Sequence, residues 1–380
     1  MPATTPMTTK PVVVYGASGY TGRLVCEYLR QYHVPFVAAG RDEAKLKASM
    51  DAHVPGIETA DYEVATVDHD VAALTDLFKG ASVVLNTVGP FSELGPAAVE
   101  AALAAGAHYT DTTGEQDWLM TCDEKYGPQF AEAGLVLAPG IAQMYTTSEI
   151  AAQLCLEQPG LDTLDIAVFW GGSPTIASTR TILVNAATSK AHYLENNQYA
   201  EFPTQGLVQL VVPGQHELAL SLPWGGMSHP VWFKRDPRVA NCKAQGGVFN
   251  AALMNGVPQI VAAALEATKD MAPDERNEAL TATARQVMNE MPPRENPRVN
   301  KTLDSVHASG PLGRAHCVIH GNSNYQQTGL LQAYAAYSLL QTPPKRVGFA
   351  SGCQAFGHRE LLGVLRSFGL VSEPQLTVQH

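Results

Sequence analysis

Three glycines follow a run of β-branched residues near the start of the chain, in the stretch VVVYGASGYTGRL at residues 12–24. If a strand ends at Gly16 and a helix opens at Gly19 and Gly22, backbone amides and the helix N-terminus can approach a pyrophosphate closely. Glycine suits this turn because a Cβ atom would block the approach or the required dihedral angles. The GxxGxxG spacing also occurs in purely structural turns, but its place at the first strand of a βαβ series favours a dinucleotide-binding site.

Arg41 follows the second apolar run, FVAAG at 36–40, where NAD-binding units usually offer Asp or Glu to the ribose hydroxyls. A guanidinium suits a 2′-phosphate by its charge and by stacking on adenine, which favours NADP(H) over NAD(H). The alternative is that Arg41 is a solvated residue at a helix start. Asp42 fits a helix N-cap better than a ribose ligand. Asp68, at the end of the third run, could accept from the adenine amino group or cap the next helix.

Further polar residues follow the predicted fourth and fifth strands, at the edge where ligands of open α/β sheets bind. Asp111 and Glu115 could orient a nicotinamide ribose or cap the helix that follows. The end of the fourth strand carries five consecutive candidates for cofactor binding: Asn86, Thr87, Val88, Gly89 and Pro90.

A proton donor for hydride-transfer chemistry has two candidates, because the protein must stabilise or protonate the charge that develops on an acceptor. Tyr145, in AQMYTTSE, follows the sixth apolar run and could donate a proton; the alternative is a packed loop tyrosine. His229 lies in WGGMSHPVWF, where Trp224, Trp232 and Phe233 could wall a hydrophobic pocket. An ordinary turn histidine is the other interpretation.

The elements that would position these residues alternate in the N-terminal part at the rhythm of βαβ units. Because the apolar runs lack polar alternation, they predict strands buried on both faces of a doubly wound parallel sheet. The predicted strands are 12–16, 36–40, 62–67, 81–89, 107–111 and 135–140. The predicted helices lie near 20–32, 42–51, 70–79, 95–106 and 120–133.

After Gly140 the rhythm changes to longer β-like runs joined by loops, which predicts a second α+β domain containing a mixed sheet. Segment 250–271 has helical spacing, with an internal Gly-Val-Pro expected to bend or break the helix. Segment 324–340 is also predicted to be helical. The charged stretch 272–301 fits a solvated helix followed by a proline-rich loop.

This pattern predicts an α/β fold with an N-terminal Rossmann sheet. Residues 1–10 are expected to be a flexible leader and 11–143 an NADP-binding Rossmann domain. Residues 144–345 are expected to form an α+β domain for substrate binding and dimerisation. The segment 346–380 is expected to pack back on the Rossmann domain.

The stretch VVLNTVGPFSELGPAAVEAALAAGAHYTDTTGE at 83–115, with GASGYTG at 16–22 and AGR at 39–41, resembles the saccharopine dehydrogenase-like oxidoreductases. That group includes the trans-acting enoyl reductases of mycobacterial lipid synthesis. The resemblance covers residues 11–140 and returns in RVGFASGCQAFGHRELLGVLRSFGL, from residue 346.

This resemblance implies an NADP(H)-binding Rossmann domain and a homodimer. The positions implied for the pyrophosphate are Gly16, Ser18, Gly19, Tyr20, Thr21 and Gly22, with Arg41 at the 2′-phosphate. Those implied for the ribose and nicotinamide are Thr87, Val88, Gly89 and Pro90, with Gly114 and Glu115 near the nicotinamide face. The chain departs from the family at 140–149, where GIAQMYTTSE replaces a GFDSxPSD-like stretch, so the substrate can differ. Saccharopine itself is not expected, because the second domain has few arginines to bind its carboxylates.

Composition excludes several other classes. The chain has 380 residues and a formal net charge of −11 with no cluster of basic residues, so nucleic-acid binding is not expected. The N-terminal segment has no apolar core typical of a signal peptide, and no apolar stretch approaches the ~20 residues of a membrane span. The six cysteines are scattered, which predicts no metal site and no disulfide framework in a cytoplasmic protein.

The leading hypothesis is an NADPH-dependent oxidoreductase that reduces a C=C, C=O or C=N bond of a mainly apolar small molecule. Semialdehyde and acyl-phosphate reductases also begin with GASGYTG, but they need a cysteine nucleophile at a helix start with a histidine base. Cys155 lies inside a predicted helix, and Cys353 is near His358 in a different part of the chain. A third hypothesis is a non-catalytic NADP-binding sensor or scaffold.

Overall fold

The computed structural model describes residues 10–203, 206–288 and 290–379, so most of the predicted leader lies outside the described residues. The described chain divides into two compact units. The first comprises the residues up to Thr113 together with Trp118–Thr146 and Tyr325–Leu365. The second comprises Gly114–Asp117, Thr147–Asn324 and the residues from Arg366 onwards.

The strands of both units are numbered along the chain. They are β1 Val12–Tyr15, β2 Phe36–Gly40, β3 Tyr62–Thr66, β4 Val83–Asn86, β5 His108–Asp111, β6 Val136–Ala138, β7 Thr163–Trp170, β8 His192–Glu195, β9 Gln198–Glu201, β10 Val208–Val211, β11 Leu218–Ser221, β12 Asn241–Val248, β13 Lys301–Gly310, β14 Gly313–Asn322, β15 Gly348–Phe349 and β16 Gln375–Gln379.

The α-helices are numbered in the same way. They are α1 Tyr20–Gln31, α2 Glu43–His53, α3 Val71–Phe78, α4 Phe91–Ala105, α5 Gln116–Thr121, α6 Gly127–Glu132, α7 Gln143–Leu156, α8 Ile176–Thr188, α9 His229–Phe233, α10 Ala251–Thr268, α11 Pro273–Val287, α12 Asn324–Gln341, α13 Gly352–Phe356 and α14 His358–Ser367. A π-helical segment, Cys122–Tyr126, joins α5 to α6, and a 3-10 turn lies at Ile57–Thr59. Among the described helices, none is long and apolar enough to cross a membrane.

The first unit contains a parallel sheet of seven strands in the order β15-β6-β5-β4-β1-β2-β3. Every residue of β1, β2 and β4 is buried, as expected for strands inside a sheet that is covered on both faces. The strand order reverses between β1 and β4, which is where open α/β sheets bind ligands beyond the carboxyl ends of their strands. The predicted Rossmann-like sheet is confirmed.

The second unit contains a mixed sheet of seven strands in the order β16-β14-β13-β7-β12-β8-β9. Its β7 and β12 are parallel, whereas the other neighbours are antiparallel. The separate hairpin β10-β11 packs on this sheet around a buried cluster that includes Phe169, Val212, Leu303 and Val318. The predicted α+β unit with a mixed sheet is confirmed.

Two helices differ from the sequence-based expectation. The helix predicted at 95–106 begins at Phe91, with Pro90 as its N-cap residue and Pro96 inside it. Of the two effects expected at Gly-Val-Pro, a break is wrong, because α10 is continuous through Pro258, and a bend stays a prediction. Apolar packing of α10 around Ala264, in a cluster with residues of α8 and α11, compensates for the hydrogen bond that proline cannot make.

The two compact units differ in extent from the predicted domains. Helix α12 belongs to the first unit from Tyr325 onwards, although its sequence was assigned to the second domain. The C-terminal segment is divided between the units. Its β15 pairs with β6 in the first sheet, whereas β16 pairs with β14 in the second.

Candidate dinucleotide-binding site

The glycine turn after β1 is held by backbone hydrogen bonds and by close packing. The amides of Gly16 and Ala17 donate to the Ala39 carbonyl oxygen at 2.9 and 3.2 Å. Gly16 has a φ of 92°, and a Cβ atom there would lie 2.6 Å from Thr87 Oγ1. A Cβ atom on Gly22 would lie 2.3 Å from the Gly16 carbonyl oxygen. The packing of the turn itself therefore requires both glycines.

Gly19 is different, because its backbone conformation does not require glycine. It is the N-cap residue of α1, with a φ of −72°, and a Cβ atom there would meet only the Gly16 carbonyl oxygen, at 3.2 Å. Within this described turn, no side chain caps the helix and no acidic residue lies in its first turn. The positive end of the α1 dipole is thus uncapped, which fits the binding of a pyrophosphate.

The ends of β2 and β3 place the residues predicted to select the cofactor. Arg41 is exposed and directly follows β2. Asp42 caps α2 by accepting from the Lys45 amide at 2.9 Å, as predicted. Helix α3 is capped by Asp70, so the helix-capping alternative for Asp68 is wrong. Asp68 is exposed, and its contact with an adenine stays a prediction.

Asn86, at the end of β4, shapes the turn that follows the strand. Its Oδ1 atom accepts from the Val88 amide at 2.8 Å, and its Nδ2 atom donates to the Tyr109 hydroxyl at 2.9 Å. Thr87 Oγ1 donates to the Tyr15 carbonyl oxygen at 3.1 Å, which ties this turn to β1. Since Asn86 is fully buried, its effect on a bound cofactor would pass through the Val88 backbone.

The neighbouring strand ends in Asp111, a fully buried carboxylate that accepts four hydrogen bonds. Its Oδ1 atom accepts from the amides of Thr113 and Gly140, both at 2.9 Å. Its Oδ2 atom accepts from the Tyr109 hydroxyl and from Trp118 Nε1, both at 3.1 Å. The Asp111 side chain therefore joins the segment that follows β5 to the segment that follows β6.

Burial raises the pKa of Asp111 to about 6, although its four donors act in the opposite direction. The carboxyl is consequently ionised at neutral pH. That state matches its partners, because a carboxylate only accepts hydrogen bonds and all four neighbours donate them.

Gln332 is a structural residue that the sequence interpretation missed. It lies on α12 and is fully buried. Its Nε2 atom donates to the carbonyl oxygens of Asp111 and Ile141 at 2.7 and 2.8 Å. Thr110 donates to its Oε1 atom. The available signal was a glutamine within the apolar stretch GLLQAYAA in the middle of α12.

The two predicted proton donors occupy different environments. Tyr145 lies in the first turn of α7 and is half-buried. His229 begins α9 and is fully buried, with Nε2 2.8 Å from Ser148 Oγ and its ring edge-on to Trp232 at 5.8 Å. Their roles in proton transfer stay predictions.

Of the aromatic residues expected to wall a pocket, Trp232 and Phe233 are fully buried. Trp224 instead lines a wholly apolar cavity of about 50 Å³ in the second unit, together with Trp170 and Val257. The indole Nε1 of Trp224 donates to the Gly246 carbonyl oxygen at 2.7 Å, which fixes the ring in place.

Most predicted cofactor residues come together at the carboxyl edge of the first sheet. Gly114 and His229 belong to the second unit. Those at the edge are Gly16, Ser18, Gly19, Tyr20, Thr21, Gly22, Arg41, Asp68, Asn86, Thr87, Val88, Gly89 and Pro90.

The cysteines do not resemble activated nucleophiles. All six are buried, and burial raises the pKa of Cys26, Cys122 and Cys242. A raised pKa keeps a thiol protonated, whereas a nucleophilic cysteine needs its thiolate. Within the part of the chain that the structure describes, no group of three or more His, Cys, Asp or Glu side chains could hold a metal ion.

Two family models match the chain. Residues 12–136 match the saccharopine dehydrogenase NADP binding domain, and residues 146–380 match a family of unknown function, DUF5938. The N-terminal resemblance predicted from sequence is confirmed. The chain belongs to the DUF5938 family, and its residues 12–136 form a domain of the saccharopine dehydrogenase NADP-binding type.

The curated relatives match about a third of the chain. A lipid droplet localized protein of Caenorhabditis elegans is 38% identical over 131 residues, 33% of this chain and 31% of that protein. A human saccharopine dehydrogenase-like oxidoreductase is 33% identical over 33% of this chain and 32% of that protein. A trans-acting enoyl reductase of Mycobacterium ulcerans is 34% identical over 34% of this chain and 32% of that protein. The matched region therefore spans about a third of these curated relatives.

A solved structure matches nearly the whole chain. Apo saccharopine dehydrogenase (L-Glu forming) from Saccharomyces cerevisiae aligns with a TM-score of 0.60 and 12% identity. The alignment covers 97% of this chain and 100% of the yeast chain. At this identity the match shows the fold, which is that of saccharopine dehydrogenase.

Proposed function

We propose that this chain is an NADPH-dependent oxidoreductase that transfers a hydride to a C=C, C=O or C=N bond of a mainly apolar small molecule. The observation that carries the proposal is the uncapped N-terminus of α1 behind the glycine turn, with Arg41 at the end of the adjacent strand. The match of residues 12–136 to an NADP-binding domain supports the same cofactor.

In this proposal the residues of the first unit bind and orient the cofactor. The α1 N-terminus binds the pyrophosphate and Arg41 binds the 2′-phosphate. The turn from Thr87 to Pro90 holds the ribose and nicotinamide, and Asn86 fixes that turn through the Val88 amide. A bound nicotinamide would supply the hydride.

Tyr145 is the preferred proton donor. Its side chain is half-buried, whereas His229 is fully buried and bonded to Ser148. A donor must come within hydrogen-bond distance of the group that it protonates, which favours the more accessible side chain. His229 is then a residue that holds α9 against α7.

We also propose a homodimer, as the family resemblance implies, and a cytoplasmic location, because the scattered cysteines fit a reducing compartment. The name of the C. elegans relative adds association with lipid droplets as the alternative location.

The test is fluorescence titration of the purified chain with NADPH and NADH, followed by a panel of enones, ketones and imines added to the NADPH complex. Tight NADPH binding with oxidation by one substrate class is the expected result and identifies the bond type. Tight binding without turnover across the panel would favour an NADP sensor. Absence of binding to either nucleotide would overturn the proposal.

A further inference from the structure

His69 stands beside Arg41 because β2 and β3 are neighbours in the first sheet. The Val67 amide donates to the Gly40 carbonyl oxygen at 3.0 Å, which extends the pairing past the end of β3. Arg41 follows Gly40 directly, and His69 follows Val67 by two residues. Both side chains therefore start from the same sheet edge.

The His69 ring is fixed by Tyr15, the last residue of β1. The Tyr15 hydroxyl lies 2.8 Å from His69 Nδ1, and the two rings are nearly parallel, with an interplanar angle of 4°. Tyr15 in turn packs edge-on against Phe78 of α3 at 6.5 Å. With Nδ1 engaged, Nε2 is the ring nitrogen that can meet a ligand.

Two charged groups act on this imidazole. Burial and the positive charge of Arg41 lower the pKa of His69, while Asp70 raises it. Arg41 also acts on Tyr15. Burial raises the pKa of the Tyr15 hydroxyl, and the positive charge of Arg41 reduces this rise. A neutral His69 that accepts from Tyr15 at Nδ1 carries its hydrogen on Nε2, so it remains a donor toward an anion.

We propose that His69 binds the 2′-phosphate beside Arg41 and makes the preference for NADP(H) over NAD(H) increase as the pH falls. This inference rests on the proposed cofactor, and it names a residue that selects it. A phosphate dianion near Nε2 favours the protonated imidazole, so phosphate binding and proton uptake reinforce each other. NAD(H) lacks the 2′-phosphate, so protonation of His69 does not strengthen its binding.

The test is calorimetric titration of the full chain with NADP⁺ and NAD⁺ at pH 6 and pH 8, comparing the wild type with His69→Gln. Glutamine keeps a donor but cannot take up a proton. The 2′-phosphate itself titrates near pH 6, but this effect is common to both proteins and cancels in the comparison. We expect the selectivity for NADP⁺ to fall about tenfold in the variant at pH 6 and only about twofold at pH 8.

Two further variants make the outcome specific. Tyr15→Phe removes the hydroxyl that fixes His69 and should lower the selectivity by a smaller factor at both pH values. His53→Gln, at the far end of the 11-residue helix α2, should leave the selectivity unchanged. Circular dichroism checks that each variant is folded.

The outcomes separate this inference from the proposed function. Wild-type selectivity for NADP⁺ with an unchanged pH dependence in His69→Gln would overturn the inference and leave the cofactor assignment standing. Equal losses of affinity for NADP⁺ and NAD⁺ in His69→Gln would also overturn the inference, because the 2′-phosphate would not be involved. A wild-type chain that binds neither nucleotide would overturn both.

Discussion

The Tyr109 hydroxyl donates to Asp111 Oδ2 at 3.1 Å, and both side chains are fully buried at the end of β5. The same hydroxyl accepts from Asn86 Nδ2 at 2.9 Å, and Asn86 in turn holds the Val88 amide. One line of hydrogen bonds thus runs from the turn after β4 to the segments after β5 and β6. In the proposed site, these segments provide the residues near the nicotinamide.

Tyr109→Phe should loosen this line without creating a cavity. The change removes a partner from Asn86 and from Asp111, and buried polar groups left without a partner are costly. We expect the free energy of unfolding to fall by about 1–3 kcal/mol. Urea denaturation measures this loss. Tyr126→Phe is the matched control, because its hydroxyl bonds the surface residues Glu100 and Lys125; a similar loss there would contradict a special role for Tyr109.

The titration of Asp111 should make stability depend on pH. Burial raises its pKa from 3.8 to about 6, so the folded chain retains a proton that the unfolded chain has already lost. The contribution of this group is therefore largest below about pH 4 and is lost as the pH rises through about 6. A shift of two pKa units corresponds to about 3 kcal/mol.

Asp111→Asn removes this titration and provides the reference. Relative to the variant, the wild type should lose roughly 3 kcal/mol of unfolding free energy between pH 4 and pH 7. Urea denaturation at intervals across this range gives the difference. If this difference in unfolding free energy stays constant, or grows in favour of the wild type as the pH rises, the hydrogen bonds to Asp111 lower its pKa at least as much as burial raises it.

Gly22→Ala should disrupt the glycine turn. The added Cβ atom would meet the Gly16 carbonyl oxygen at 2.3 Å and Ala17 Cα at 2.8 Å, and backbone atoms cannot move away cheaply. We expect a loss of about 1–3 kcal/mol in stability together with weaker NADPH binding. Gly363→Ala is the control, since a Cβ atom in α14 meets nothing within 4 Å and should be neutral or stabilising. Equal effects of the two substitutions would contradict the packing argument.

The sequence predicted six of the seven strands of the parallel sheet, because each of these six is a local apolar run next to a local helical pattern; β15, only two residues long, was not among them. The geometry of the glycine turn was recognisable for the same reason, since it is set by a few consecutive residues, whereas the role of Arg41 stays a prediction. The role of Asp111 in joining three segments was not predictable, because Gly140 and Trp118 approach it only in the folded chain. Gln332 is a similar case, because it reaches β5 from a helix more than 200 residues away in sequence.

Arg41→Ala should change the choice of cofactor. Removing a charge-assisted contact with the 2′-phosphate should raise the dissociation constant of NADPH about 10- to 100-fold. The dissociation constant of NADH should change little, because NADH has no phosphate at this position. Lys47→Ala, which removes an exposed positive charge paired with Glu43 on α2, should alter neither. Fluorescence titration of the wild type and both variants measures these dissociation constants, and equal effects of Arg41→Ala on NADPH and NADH would remove Arg41 from the site.

Tyr145→Phe should separate proton transfer from cofactor binding. The variant keeps the half-buried ring at the start of α7 but loses the hydroxyl, so the dissociation constant of NADPH should be unchanged. General acid catalysis contributes roughly 10²- to 10⁴-fold, so kcat on the substrate class found by the panel should fall by about that factor. Tyr337→Phe, which changes a tyrosine stacked on Tyr32, should retain full kcat. If Tyr145→Phe keeps its activity, the proton comes from another group, and a loss of kcat in a folded His229→Gln variant would assign it to the buried histidine.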